Sequence, residues 1–364
     1  MHVVMIAAAN YPLCEPFAGG LESLTWQLVN GLVRRGVQVT TFAGAGSDVR
    51  TGARQISVAD LSLSVAARAD VSMPPELWLR EHHAYLQVML ELGRRDDVDV
   101  IHNNSLHYLP IALAETANAP MVTTLHTPPT PWLEPAIRLL GDRSKVRFAA
   151  VSRHTAASWA HVTDALVVPN GVDVEQWRAG DGGDQLVWFG RIVPEKAPHL
   201  AVEIARLAGR RLRMAGPISD PGYFHQRIRP LLDDDAVTYV GHLRQDELAR
   251  LVGSSAAALV TPDWDEPYGL VAAESLSCGT PVLGFARGGL VEVADDSCGV
   301  LVDGGDVVSA AAEVDRVTRM SRSAARQRAV KHCSLDSMLD RYLAVYAQAA
   351  VGGPADIPAL DGAA

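Results

Sequence analysis

One segment of the sequence, WDEPYGLVAAESLSCGTPVL at 264–283, carries the residues whose types and spacing most clearly predict chemistry. It places Glu266 in a loop, begins a helix just after Gly269 and puts Glu274 about one turn into that helix. The first turn of a helix leaves backbone N–H groups unpaired, so residues 269–271 suit a phosphate. Glu274 is then placed to accept hydrogen bonds from two vicinal ribose hydroxyls, and Glu266 from the hydroxyls of a sugar.

Two other interpretations fit the same carboxylates. In a glycosidase, Glu266 and Glu274 would stand as acid and nucleophile on either side of one glycosidic bond. In a purely structural role, Glu274 would be a buried carboxylate paired with an arginine. The loop, the helix start and the flanking strands agree with one binding geometry, which favours a ligand that carries both phosphate and hydroxyl groups.

Two cations follow the first strand of the second half of the chain, in FGRIVPEKAPH. Arg191 offers a planar fork of N–H donors and Lys196 a compact charge, a combination suited to a diphosphate. Only three of the 32 basic residues are lysines, so a lysine in this loop is a stronger signal than usual. The alternative is a solvated charged loop in which Glu195 pairs with one of its neighbours.

Two further features belong to the first half of the chain. Gly19 and Gly20 follow the first strand and open the first helix, where glycine lets the backbone approach a phosphate closely. The same pair would also serve as an ordinary loop-to-helix turn. His126 ends the fourth strand in VTTLHTPP, and open parallel sheets bind ligands at the carboxyl ends of their strands. The alternative is a histidine that forms a hydrogen bond within its own loop.

Short β-branched runs alternate with helical patterns along the chain, which is typical of buried parallel strands joined by helices. In the first half, strands are predicted near 3–9, 37–43, 98–102, 120–125, 147–151 and 165–168. In the second half, they are predicted near 185–190, 211–215, 236–240, 256–260, 280–284 and 299–302. A helix rich in alanine and arginine is predicted at 308–331. The sequence therefore predicts an α/β protein with two doubly wound domains.

The expected domain boundaries follow from this alternation. The first domain spans 1–168, a linker rich in Gly and Asp spans 169–183, and the second domain spans 184–334. A helix at 335–350 has one apolar face and is expected to pack back across the domain boundary. Residues 351–364 lack periodicity and are expected to form a loose tail.

Composition limits the partners and the compartment. The 364 residues are 48% hydrophobic and 20% charged, which is ordinary for a folded protein. A net charge of −10 gives no reason to expect nucleic acid as a partner. Four scattered cysteines, no basic leader and no apolar run of about 20 residues predict a cytoplasmic protein without a transmembrane segment. The oligomeric state is left open.

Peripheral contact with a membrane surface is left open by one segment. Its apolar residues are Trp132, Leu133, Ile137, Leu139 and Leu140, and its basic neighbours are Arg138, Arg143, Lys145 and Arg147. The alternatives are a helix that faces lipid and a core helix with a charged edge. Glu134 and Asp142 dilute the basic character, which favours the core helix.

The order of several short motifs resembles the family 4 retaining glycosyltransferases, also called the group 1 family, from residue 1 to about residue 348. The motifs are AGGLE at 18–22, PNGVD at 169–173, the GR and Lys of 190–196, AGP at 215–217, VGHL at 240–243, EPYGLVAAE at 266–274 and ARGGLVE at 286–292. The resemblance implies a GT-B fold, in which two Rossmann-like domains face each other across a cleft and the C-terminal helix crosses back to the first domain. The first domain would bind the acceptor and the second the nucleotide-sugar donor.

The resemblance also implies roles for individual residues. The implied catalytic residues are His126 beside the donor sugar, Arg191 and Lys196 at the departing diphosphate, and Glu266 at the sugar hydroxyls. Glu274 would hold the ribose. The other implied donor contacts are Gly19, Gly20, Gly216, Val240, His242, Tyr268, Gly269, Leu270 and Val271. One departure is Ala197, where the family usually has glycine after the lysine.

The implied activity is transfer of a hexose from a UDP- or GDP-linked donor to an acceptor hydroxyl with retention of configuration. The reaction would pass through an oxocarbenium-like transition state on one face of the sugar, with the departing phosphate helping to take the acceptor proton. The implied enzyme needs no cofactor beyond the nucleotide sugar and no bound metal, although Asp263 and Asp265 nominally spell a metal-binding pair. The acceptor, whether glycan, lipid or small natural product, is not readable.

Three other functions share the same architecture. One is a nucleotide-sugar-binding protein that has lost catalysis, and a second is a sugar-nucleotide epimerase, which would not need the full donor loop. A phosphorylase dependent on pyridoxal phosphate would need a lysine for its cofactor, and neither Lys145 nor Lys331 has a suitable context. The intact set of Arg191, Lys196 and Glu266 favours the transferase.

Overall fold

Parallel strands form the framework of the protein, close to the predicted positions. The structure, a computed structural model, describes residues 1–48, 54–140, 144–233 and 235–351. The strands of the first half are β1 (His2–Ile6), β2 (Gln38–Phe42), β3 (Arg54–Ile56), β4 (Val100–Asn103), β5 (Met121–Leu125), β6 (Val146–Ala150) and β7 (Ala165–Val167). Those of the second half are β8 (Leu186–Phe189), β9 (Leu212–Ala215), β10 (Val237–Tyr239), β11 (Ala257–Val260), β12 (Val282–Phe285) and β13 (Gly299–Val302).

These strands build two sheets. The first is 7-stranded in the order β3-β2-β1-β4-β5-β6-β7, and the second is 6-stranded in the order β10-β9-β8-β11-β12-β13. In each sheet the strand order reverses beside its central first strand, between β1 and β4 and between β8 and β11. Ligands of open α/β sheets bind outside the carboxyl ends of the strands at such reversals. The predicted α/β fold with two doubly wound, Rossmann-like units is confirmed.

Helices cover both sheets. Those of the first half are α1 (Gly20–Arg34), α2 (Val65–Arg68), α3 (Glu76–Leu92), α4 (Leu109–Ala112), α5 (Leu133–Arg138) and α6 (Arg153–Trp159). Those of the second half are α7 (Pro198–Leu207), α8 (Pro221–Tyr223), α9 (Gln245–Gly253), α10 (Leu270–Ser277), α11 (Leu290–Val293), α12 (Val307–Val317), α13 (Arg322–His332) and α14 (Leu335–Val351). Single turns of 3-10 helix lie at Ala114–Thr116, Pro194–Lys196 and Arg229–Leu231, and one π turn at Phe224–Ile228.

Two sequence predictions need correction. The helix predicted at 308–331 is two helices, because Ser321 Oγ accepts a hydrogen bond from Ala324 N at 3.2 Å and so begins α13 anew. Strand β3 has no counterpart among the predicted strands, since this edge strand has only one buried residue.

The core helix favoured near Trp132 is α5, whose Leu133 and Ile137 are buried in the core of the first domain. Its flanking residues Trp132 and Leu139 lie outside that core and are 49% and 87% exposed.

Helix α14 returns to the first sheet, as expected. Its Tyr346 hydroxyl lies 2.6 Å from Nδ1 of buried His102 in β4, and its Tyr342 hydroxyl lies 3.0 Å from Thr124 Oγ1 in β5. A Cβ added at Gly31 of α1 would lie 2.6 Å from Leu339 Cδ1, so this glycine lets the two helices pack closely. The first domain is therefore completed by the last helix of the chain.

The two chain crossings between the sheets run side by side. Val172 and Ser334 form an isolated parallel bridge, and Leu335 N donates to Val172 O at 2.9 Å. The linker is thus fixed to the start of α14, a suitable position for a hinge. Of the predicted tail at 351–364, Val351 ends α14 and the rest lies outside the described residues, as do Asp142 and Arg143. In the described ranges, no helix has the length and apolar character needed to cross a membrane.

Leu339→Ala should lower the free energy of unfolding by about 2–4 kcal/mol, because it removes a side chain that is 1% exposed and leaves a cavity between α1 and α14. Denaturant unfolding measures the change. Leu207→Ala makes the same substitution at a residue that is 59% exposed and should stay within about 0.5 kcal/mol of the parent protein. Equal losses in the two variants would contradict this packing of α14.

Candidate functional site

The predicted glycine pair of the first domain meets the second domain across the cleft. A Cβ added at Gly19 would lie 3.5 Å from Arg191 Cδ, and one added at Gly20 would lie 3.3 Å from Leu270 Cδ2. Glu22, in the first turn of α1, is 7% exposed, and Arg191 opposes the rise that burial causes in the pKa of its carboxyl. Residues predicted separately from the two halves of the sequence therefore meet at one place. Glu22 was not predicted.

The start of α10 has the backbone geometry expected of a phosphate-binding turn. Gly269 has φ 102°, a left-handed conformation that favours glycine, and a Cβ there would lie 3.0 Å from Leu290 Cδ1. No side chain of the described residues caps this helix. The N–H groups of its first turn therefore remain available to a ligand, and the helix dipole favours a negative one.

Lys196 and Glu266 form the central ion pair of the cleft. Lys196 Nζ lies 2.5 Å from Glu266 Oε2, and Trp264 Nε1 donates to the same oxygen at 3.2 Å. The Lys196 ammonium also lies 5.1 Å from the centre of the Trp264 ring, where a cation is attracted to the ring face. The predicted cation and the predicted sugar-binding carboxylate thus hold each other in place, and a ligand must insert between them or take over one partner.

Arg191 pairs with Glu195 at 3.6 Å, and both side chains are about 40% exposed (42% and 39%). The charged-loop alternative is thus correct for this pair, but such an exposed contact costs little to exchange for a ligand. Directly after Lys196, the backbone turns sharply: Ala197 has φ 43°, in the left-handed region. The position where the resembled family has glycine keeps a glycine-like conformation here despite its methyl group.

Glu274 is buried on α10, four residues after the helix begins at Leu270. It is 7% exposed, and burial raises the pKa of its carboxyl to about 8. The structural alternative is wrong in its pairing, because no ion pair among the described residues includes Glu274. A buried carboxyl without a charged partner is poised for hydrogen-bonding hydroxyls.

His126 stands at the end of β5 and is fixed from the neighbouring strand. Its Nε2 lies 2.7 Å from Oδ1 of Asn104, which follows β4. With this oxygen as acceptor, Nε2 carries the proton and Nδ1 is left as an acceptor. Burial lowers the pKa of His126 to about 3, so the ring is neutral at physiological pH. Asn104 was not predicted.

The other residues predicted to bind the donor differ in whether their side chain or their backbone faces the cleft. His242 Nε2 lies 3.0 Å from Phe17 O of the first domain, so this side chain bridges the cleft. Gly216 has φ 139°, and a Cβ there would lie 1.9 Å from Gly190 O, so its glycine is required by the close approach of two loops. The ring of Tyr268 is buried in the second-domain core against Cys333, so the part of this residue left for a ligand is its backbone. Val240 packs against the same core.

Several contacts that were not predicted hold the loop between β11 and α10, and the helix α11, to the first domain. Ser152 Oγ and Thr155 Oγ1 both donate to Pro267 O, at 2.5 and 3.0 Å. Glu292 accepts hydrogen bonds from the first two backbone amides of α6, at 3.1 and 2.9 Å. Ser152 begins α6 as an N-cap, a pattern visible in the sequence as Ser-x-x-Thr, but its partner across the cleft is not.

The acidic residues near the loop do not gather into a metal-binding group. Asp263, one of the nominal pair, lies 3.4 Å from Arg287. Among the residues that the structure describes, no group of three or more His, Cys, Asp or Glu side chains is arranged to hold a metal ion.

Known protein families match the first and the second domain of the chain separately. The sequence model for Glycosyltransferase Family 4 matches residues 18–176, and that for Glycosyl transferases group 1 matches residues 172–332. A D-inositol 3-phosphate glycosyltransferase of Frankia alni is 31% identical, over 83% of this chain and 86% of that protein. The enzyme of the same name from Mycobacterium marinum is 28% identical, over 95% of this chain and 85% of its own length.

Solved structures show the same fold. AviGT4, a glycosyltransferase involved in avilamycin A biosynthesis, is 22% identical and superposes with a TM-score of 0.71, covering 97% of this chain and 99% of its own. Anabaena HepE in complex with UDP-glucose is 16% identical, with a TM-score of 0.73 over 96% of this chain and 100% of its own.

Glu274→Gln should raise the melting temperature, and the gain should grow between pH 5 and pH 8. The folded-state pKa of about 8 lies above the ordinary value of 4.5, so the stabilising contribution of Glu274 is full at acid pH and lost as the pH rises. An amide carries no charge to bury, so a gain of about 2 °C or more is expected at pH 8. Scanning calorimetry measures it, with Glu203→Gln, an exposed glutamate of α7, as the matched control. If the melting temperatures of the parent and Glu274→Gln change in parallel with pH, Glu274 is not a buried carboxyl without a charged partner.

Proposed function

We propose that this chain, which belongs to the family 4, group 1 glycosyltransferases, transfers a hexose from UDP- or GDP-linked sugar to an acceptor hydroxyl with retention of configuration. The observation that carries the proposal is the convergence of Gly19, Gly20, Arg191 and the start of α10 on the Lys196–Glu266 pair. Two cations, a helix N-terminus and a glycine turn together match a diphosphate. The carboxylates beside them match hydroxyl groups.

The donor would lie along the second domain. The phosphates would be bound by the amides of residues 269–271, with Glu274 below them accepting hydrogen bonds from the ribose. Glu266 would exchange its contact with Lys196 for the hydroxyls of the donor sugar. UDP is favoured over GDP because HepE, a neighbour of the same fold, holds UDP and UDP-glucose.

The chemistry would depend mainly on charge stabilisation. Breaking the bond to the sugar places negative charge on the diphosphate, where Arg191 and Lys196 are already fixed close by. One preorganised cation or hydrogen-bond donor that stabilises the developing charge is worth a factor of about 10²–10³ in kcat. No carboxylate need act as nucleophile, since the departing phosphate would help to take the acceptor proton. Two cations at the phosphates would also make a bound metal or other cofactor unnecessary.

His126 would lie beside the donor sugar at the carboxyl end of β5. It is neutral, and its Nδ1 is left to accept a hydrogen bond while Asn104 holds Nε2. A neutral ring fits a position beside a cationic transition state better than an imidazolium would. Together with intact Arg191, Lys196 and Glu266, this supports an active enzyme over a binding protein that has lost catalysis.

A donor screen tests the proposal. The protein is incubated with UDP-glucose, UDP-N-acetylglucosamine, GDP-mannose and ADP-glucose, and thermal stabilisation and nucleotide release are recorded. One UDP- or GDP-linked sugar should raise the melting temperature and release its nucleotide. With an acceptor that accelerates this release, the anomeric configuration of the glycoside product, read by NMR, should equal that of the donor. If no nucleotide sugar stabilises the protein, or if the product is inverted, the proposal is wrong.

Glu274→Ala and Lys196→Ala should separate binding from catalysis. Glu274→Ala should weaken binding of the nucleotide about tenfold, since a ribose contact is lost in all bound states. Lys196→Ala should lower kcat about 10²-fold or more with a smaller effect on binding, because its charge is needed most as the diphosphate departs. Calorimetric titration and steady-state kinetics measure the two effects, with exposed Lys145→Ala as control. Identical profiles for the two variants would refute these roles.

A further inference from the structure

We propose that the acceptor side of the cleft carries a stacking platform, formed by Tyr108 and Trp132 on a base of Tyr85 and His107, that binds the ring of an uncharged glycoside. The inference rests on the proposed function, because it concerns the acceptor of that enzyme. It is carried by the arrangement of aromatic rings at the carboxyl end of the first sheet.

The four rings form one aromatic cluster. Tyr85 and His107 lie 4.8 Å apart between ring centres at 29°, and His107 and Tyr108 lie 4.8 Å apart at 19°. Trp132 lies 6.1 Å from Tyr108 at 10° between planes and 6.3 Å from His107 at 21°, so these three rings contact one another. The inner end is fixed, since the Tyr85 hydroxyl donates to Ala7 O at 3.2 Å and accepts from Ala9 N at 3.1 Å. The cluster is therefore anchored at the residues that follow β1.

The outer edge of the cluster is open. Trp132 is 49% exposed, although stacking places it against Tyr108. A second partly exposed aromatic joins the cluster through His82, whose ring centre lies 6.2 Å from that of Tyr108: Trp78 of α3 is 37% exposed and stacks on His82 at 5.0 Å. Large aromatic side chains left half-exposed on rigid supports are typical of ligand contacts rather than of a solvated surface.

The platform and the proposed reacting centre share chain segments. His126 and Trp132 belong to the same β5–α5 loop, and Trp159 Nε1 fixes that loop through a 2.8 Å hydrogen bond to Thr127 O. His107 lies three residues beyond Asn104, the residue that holds His126. Both segments of the platform thus extend from the strand ends that carry the predicted acceptor side, within about 20 Å of His126 along an extended loop.

Helices α3 and α5 offer no net positive charge to a phosphorylated acceptor. Each contains one arginine and at least one glutamate, and Arg80 pairs with Glu76 at 3.4 Å and Arg138 with Glu134 at 2.6 Å. These exposed pairs exchange at little cost, so the balance of charge, rather than the pairing, disfavours a phosphate.

The histidines of the cluster do not supply the missing charge. Burial lowers the pKa of His107 to about 4, and burial together with His83 lowers the pKa of His82. Both rings are therefore neutral at physiological pH. Nδ1 of His82 is buried without a hydrogen-bond partner. Neutral imidazoles beside aromatic faces match a sugar ring, which offers C–H groups to the rings and hydroxyls to the polar atoms.

Acceptor kinetics test the platform. With the donor identified by the screen, nucleotide release is measured alone and with octyl β-D-glucopyranoside, cellobiose or D-inositol 3-phosphate, the acceptor named for the relatives. At least one of the two glycosides should accelerate release above hydrolysis, and the octyl compound separates a lipid-linked sugar from a free glycan. Trp132→Ala should raise KM for the accelerating glycoside about three- to tenfold. In Trp132→Phe, the KM for the same glycoside should stay within about twofold of the parent value. In both variants, kcat and the KM for the donor should be unchanged.

Leu139→Ala is the control. Leu139 follows α5 directly, is 87% exposed and is not part of the aromatic cluster. The platform is refuted if D-inositol 3-phosphate alone accelerates release, if neither glycoside does, or if Trp132→Ala leaves the acceptor KM unchanged. In each case donor binding and hydrolysis would still stand, so the proposed function survives. Loss of donor binding and turnover in the parent protein would instead refute the proposed function itself.

Discussion

The contact between Lys196 and Glu266 is the constraint on which the account of the site depends. A diphosphate leaving group needs a cation that is already in place when charge develops, and an unpaired ammonium in a narrow cleft is costly. Glu266 and the face of Trp264 hold that cation in the free protein. The loop that carries Lys196 turns through the strained backbone of Ala197, and the loop that carries Glu266 leads into Gly269 and α10. Both loops leave adjacent central strands of the second sheet, β8 and β11.

The first domain is tied to this site by a few polar contacts. Ser152 and Thr155 both donate hydrogen bonds to the carbonyl of Pro267, in the loop between β11 and α10. Gln245 Nε2 donates to Ser23 Oγ at 2.7 Å. Rotation of the domains about the linker beside α14 would break these contacts together. Opening of the cleft would therefore also free the carbonyl of Pro267.

Much of this could be read from the sequence, for physical reasons. Buried parallel strands are continuous apolar runs, so their positions were predicted within a few residues, and strand ends placed His126, Arg191 and Glu266 at the cleft. Edge strand β3 and the break before Arg322 lack such a signal. The inward direction of the Tyr268 ring was not readable, because a turn residue can point inward or outward with no change in pattern. Asn104, Glu22 and the aromatic cluster from Tyr85 to Trp132 involve contacts between distant segments, which one sequence does not encode locally.

The central claim is that Lys196 and Glu266 part when the donor binds, one turning to the phosphate and the other to the sugar. A double-mutant cycle on kcat tests it most directly, using Lys196→Ala, Glu266→Gln and the double variant at saturating donor. Because kcat compares the bound donor with its transition state, the ion pair of the free protein does not enter. The account predicts that the double variant loses about the product of the two single losses. A double variant no slower than the slower single variant would show that the two residues still act as one ion pair, and would contradict the account.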